Sequence, residues 1–110
     1  MITEEIRDAI RNRASTDDEW SYGVEQCWNK EIDILSRDIN ATIDFLEHDC
    51  TAEEFSWLSE IFDDIAKNTH SKDFISALRR TAEKYPEETM KYHIHDFIDS
   101  AECIVDSQQL

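Results

Sequence analysis

The chain has one glycine and one proline in 110 residues. All-β folds need both at their many turns, so this scarcity excludes that class. Basic residues are also few: 11 Lys and Arg against 26 Asp and Glu leave a formal charge of −15. Phosphate backbones and anionic membrane surfaces reward Lys and Arg, so nucleic acid and membrane are not expected partners. A basic protein is the natural complement. No stretch approaches the ~18 apolar residues of a membrane span. The opening MITEEIRDAI lacks a basic stretch followed by an apolar run, so no signal peptide is read and a cytoplasmic protein is expected. Cys27, Cys50 and Cys103 are odd in number and have no CxxC spacing. A disulfide framework or structural zinc is therefore not expected, and the thiols read as reduced and mostly buried.

What is present is a core. Hydrophobic residues make up 40% of the chain, with three Trp, three Tyr and five Phe. Acidic disordered segments lack such aromatic content, so residues 1–110 read as one folded domain. The apolar positions recur at helical spacing almost throughout. Ile2, Ile6, Ala9 and Ile10 mark a helix over about 3–14. Thr16 and Glu19 have capping-box spacing. Trp20, Val24, Cys27, Trp28 and Leu35 predict a helix over about 17–35, and Ile39, Ile43 and Leu46 continue the pattern. Residues 17–48 could therefore be one helix or two. Gly23 lies inside this stretch, where it is either tolerated or placed for close packing.

Thr51 and Glu54 form a second capping-box pattern, ahead of a helix over about 52–67 that carries Phe55, Leu58, Ile61, Phe62 and Ile65. Ser71 caps the next, with Phe74, Ile75, Leu78 and Ala82 buried. Tyr85-Pro86 ends it and opens another, because proline suits the first helical position. A last helix carries Ile94, Phe97, Ile98, Ala101, Ile104 and Val105. The expectation is all-α, with six to seven helices in a compact bundle or a short curved stack of helical hairpins.

Catalytic and metal patterns are weak. None of His48, His70, His93 or His95 follows a Glu by three residues, and HExxH is absent. His93 and His95, two apart, would face different sides of a helix. Glu60-x-x-Asp63 and Asp96-x-x-Asp99 could be read as the acidic motifs of a magnesium-dependent all-α nucleotide pyrophosphohydrolase. Among 26 acids such pairs arise by chance, so solvated helix faces are the plainer reading. Neither an enzyme nor a bound metal or cofactor is expected.

Charge distribution says more. Between Arg37 and Lys67 there is no Lys or Arg, while Asp38, Asp44, Glu47, Asp49, Glu53, Glu54, Glu60, Asp63 and Asp64 fall in that interval. Local i, i+4 pairing cannot offset their repulsion. On a helical wheel for 52–67, Glu53, Trp57, Glu60 and Asp64 gather on one side, with Trp57 about 100° from the core centre. Trp57 either packs beside the core or anchors an interface, as Trp often does. A weaker copy places Asp18, Tyr22, Glu25, Asn29 and Asp33 on one face of the second helix. These two faces supply the candidate binding residues: Glu53, Trp57, Glu60 and Asp64, then Asp18, Tyr22, Glu25 and Asp33.

The segments WSYGVEQCWNKEIDIL, CTAEEFSWLSEIFDDI and FISALRRTAEKYPEE, spanning most of residues 20–88, resemble small acidic helical bacterial immunity proteins. Such proteins protect against secreted polymorphic or contact-dependent growth-inhibition toxins. The resemblance implies a cytoplasmic protein that binds a cognate toxin domain, often a nuclease, and blocks its active site. It carries no residue-level binding motif. The first expectation is thus a non-enzymatic inhibitor of a basic toxin domain. The alternatives are an acidic adaptor or nucleic-acid mimic that binds another basic protein, and the magnesium-dependent hydrolase.

Overall fold

In the computed structural model, which describes residues 2–107, helix follows helix with short connections and no strand among the described residues. The elements are α1 (Ile2–Ser15), α2 (Ser21–Arg37), α3 (Ile39–His48), α4 (Ala52–Leu58), a 3-10 turn (Ser59–Ile61), α5 (Phe62–Thr69), α6 (Lys72–Lys84), α7 (Pro86–Lys91) and α8 (Ile94–Ser107). Since α4, the turn and α5 follow one another without a break, the described residues make seven helical rods. The all-α expectation holds.

Side-chain chemistry at the helix ends explains several boundaries. Thr51 and Glu54 make both bonds of a capping box, and Ser71 Oγ accepts from the Phe74 amide. Pro86 takes the first position of α7. Residues 17–48 form two helices. Asp38 leaves the helical region and accepts from the Ala41 amide, capping α3. The Thr42 hydroxyl then donates to the Leu35 carbonyl at the end of α2, 2.7 Å away.

Three expectations fail locally. Thr16 and Glu19 do not form a capping box: the Thr16 hydroxyl donates back to the Asn12 carbonyl and closes α1. The Asp17 carboxylate accepts from the Glu19 amide instead, a local turn that delays α2 until Ser21. Trp20 therefore precedes the helix rather than joining its apolar stripe, and it is 59% exposed. Its ring lies over Gly23, where an added Cβ would collide with it. Glycine here serves a close approach. The thiols divide: Cys50 is buried, Cys27 half-buried and Cys103 exposed.

The buried hydrophobics other than Val24 form one cluster drawn from every helix except the short α7. Phe55, Phe62 and Phe74 stack through its centre, with ring centroids 5.6 and 6.3 Å apart. Helix α5 packs on α8, α1 on α2, and α3 on α6. The extents of 37 × 29 × 29 Å and the 13.1 Å radius of gyration fit a compact bundle rather than an extended stack.

Candidate functional site

Two charged residues sit where the helical pattern calls for apolar ones. Arg13 continues the stripe of Ile6, Ala9 and Ile10 on α1, and Glu31 continues that of Val24, Cys27 and Trp28 on α2. Both are buried. The Arg13 guanidinium makes two bonds to Glu60, at 2.9 and 2.8 Å, and a third to Asp18 at 3.0 Å. Its carbon lies 5.0 Å from the Trp57 ring centroid and 5.9 Å from that of Trp28. The Trp28 indole N–H also donates to Glu60. Burial opposes the charge on Arg13, yet the bonds to Glu60 and Asp18 raise its pKa above the ordinary arginine value.

Glu31 has neither oxygen hydrogen-bonded among the described residues. Burial, helped by the negative charge of Glu60, pushes its pKa up to about 8, while Arg13 pulls the other way. Near neutral pH, Glu31 is therefore mainly the uncharged acid. These two buried charges were missed by sequence reasoning, although the stripe positions of Arg13 and Glu31 were a visible signal.

Beside the cluster lies an open cleft of about 560 Å³. Helix α4 and the 3-10 turn supply Glu53, Trp57 and Glu60; α7 and its exit supply Glu88, Lys91 and Tyr92; α8 supplies Phe97. Trp57 is half-buried and packs against the core. Tyr92 and Phe97 are 45% and 42% exposed. Glu53 and Glu88 are engaged in no side-chain bond among the described residues, unlike Glu60. The Lys91 ammonium lies 5.2 Å from the Tyr92 ring centroid.

The wheel face is thus divided. Glu53, Trp57 and Glu60 line the cleft, but Asp64 does not. The 3-10 turn advances ~120° per residue instead of ~100°, which rotates α5 out of phase with α4. On the second face, Asp18 lies in the turn before α2 and binds Arg13, and Asp33 pairs with Arg37 at 2.7 Å. Glu25 is exposed. Tyr22, 64% exposed, lies beside Trp20 with centroids 6.2 Å apart. The Arg13 cluster binds Asp18, in the turn before α2, and Glu60, which lines the cleft. Sequence reasoning missed Glu88, Tyr92 and Phe97. Only packing brings α7 and α8 beside α4, and Phe97 reads as core by spacing.

The acidic tract is less uncompensated than its sequence suggests. Arginines arrive from distant helices: Arg7 binds Glu54, Arg13 binds Glu60 and Arg80 binds Glu47. The hydrolase pattern is dispersed. Glu60 is held by Arg13, Asp63 accepts from Ser100, Asp99 pairs with Arg79, and Asp96 lines a different groove. His93 and His95 are both exposed and line that groove, His93 in a left-handed turn before α8. No group of three or more His, Cys, Asp or Glu among the described residues could hold a metal ion. No described helix is long and apolar enough to cross a membrane. No family model, curated protein or solved structure matches the chain in comparison.

Proposed function

We propose that the protein is a non-enzymatic inhibitor that binds a basic toxin domain, such as a nuclease, in the cytoplasm. Its carboxylates occupy the positive surface with which the toxin would hold phosphate, and the body of the bundle blocks access. The supporting observation is the cleft, where exposed aromatic rings and unpaired carboxylates combine on a molecule of charge −15. Such a surface offers both electrostatic steering and apolar anchors. Trp20 and Tyr22 form a further exposed aromatic pair. Affinity capture from the native strain, followed by assay of the recovered protein, tests the reading. A basic protein whose activity stops on stoichiometric addition of this chain supports it. Capture of no basic protein, or magnesium-dependent release of pyrophosphate from nucleotides by the purified chain, overturns it.

A further inference from the structure

The molecule already contains one arginine held by aromatic rings and carboxylates. Arg13 is bound by Glu60 and lies over Trp57, and both of these residues also line the open cleft, whereas Arg13 does not. The cleft repeats that chemistry facing solvent. Tyr92 and Phe97 add exposed rings, and Glu53 and Glu88 add carboxylates without side-chain partners among the described residues. Its volume of about 560 Å³ lies within the ~300–1,000 Å³ range of clefts that hold ligands.

We propose that this cleft receives one arginine side chain of the basic partner, its guanidinium against the rings of Trp57, Tyr92 and Phe97 and its charge met by Glu53 and Glu88. This deepens the basic-partner reading and rests on it. Arginine fits better than lysine because a planar guanidinium can lie on a ring while its edge donates to carboxylates. An ammonium is a compact, strongly hydrated charge that cannot do both as well. Lys91, whose ammonium lies near the Tyr92 ring, occupies one such position within the chain and competes for it.

The test titrates the full chain with a capped peptide bearing a single arginine, and with its lysine and citrulline counterparts. The Trp57 indole resonance, assigned with Trp57→Phe, reports on the cleft. The arginine peptide should bind about tenfold more tightly than the citrulline peptide and about threefold more tightly than the lysine peptide. Glu53→Gln with Glu88→Gln should weaken it about tenfold, and Lys91→Gln should strengthen it about threefold. Tyr92→Ala and Phe97→Ala, at exposed positions that leave folding intact, should each weaken it severalfold. Equal binding of arginine and citrulline peptides, or an unmoved Trp57 resonance, overturns the proposal. An oligo-arginine peptide separates the two readings. If it binds in a salt-sensitive way while the cleft stays unperturbed, the cleft proposal fails and the basic-partner reading stands. If it does not bind even at low salt, both fail.

Discussion

The Arg13 cluster and the neighbouring cleft use the same side-chain types to opposite ends. In the cluster, Arg13 neutralises Glu60 and Asp18, two indoles cover the guanidinium, and Glu31 is held as an uncharged acid. In the cleft, Tyr92 and Phe97 are exposed, and Glu53, exposed, and Glu88, half-buried, meet no arginine among the described residues. A buried, compensated group makes structure, whereas an exposed, uncompensated one is available to a partner. Trp57 and Glu60 belong to both regions. Sequence alone could not divide the acids between these roles, because the dividing groups are arginines about 47 residues away along the chain.

The largest expected effect is at the centre of the cluster. Arg13→Met removes the cation from a site only 6% exposed and leaves Glu60 without its bidentate partner. A loss of about 3–5 kcal/mol in urea denaturation is expected. A loss below about 1 kcal/mol would mean that the pairing is only superficial.

Glu31 sharpens the contrast through pH. Its folded pKa of about 8 exceeds the ordinary value of 4.5, so the folded chain keeps a proton that the unfolded chain has released. Stability from this group therefore falls as pH rises from about 4.5, and levels off above about 8. At about 1.36 kcal/mol per pH unit, the cost at pH 7 reaches up to about 3 kcal/mol. Glu31→Gln should remove that cost, stabilising the protein at neutral pH and leaving it unchanged near pH 4.5. Unfolding measured across this range should give a flatter profile than wild type. A variant less stable than wild type at pH 7 would contradict the neutral buried acid. This local effect and the easing of repulsion among 26 acids act in the same direction on mild acidification.

Trp57 lies on the boundary. Its half-buried ring contacts the core and Arg13, so Trp57→Ala should cost about 2 kcal/mol, less than the ~3–5 kcal/mol of a fully buried Phe55→Ala. The same variant should lose partner affinity beyond what its lower stability explains. Equal losses at Trp57 and Phe55, with affinity preserved, would make Trp57 purely core.

The smallest effect lies at Gly23. Alanine there gains about 1 kcal/mol of helix propensity but displaces the Trp20 ring. The ring is already exposed and can move, so the net change should stay within about 1 kcal/mol. The Trp20 fluorescence should nevertheless change. A large loss of stability would show that Trp20 is structural rather than part of the exposed aromatic pair.

Much of the fold was legible. Apolar spacing located every long helix, and Thr51, Ser71 and Pro86 acted as helix starts. The boundary at Thr16 was misread because its hydroxyl can serve the carbonyl behind it as well as the amides ahead. Of the cleft's lining, the wheel had already gathered Glu53, Trp57 and Glu60. Asp64 falls outside the cleft, because a uniform 100° step does not survive the 3-10 turn. Glu88, Tyr92 and Phe97 join the cleft only through tertiary packing. The buried charges could have been found from their stripe positions, but their partners could not.

The division between structural and unpaired carboxylates is tested most directly by one urea series at pH 7, comparing Glu60→Gln with the double variant Glu53→Gln/Glu88→Gln. Glu60→Gln should lose about 2 kcal/mol or more, because it leaves buried Arg13 underpaired. The double variant should stay within about 0.5 kcal/mol of wild type. A Glu60→Gln protein as stable as wild type, or a double variant that loses as much as Glu60→Gln, would contradict the account.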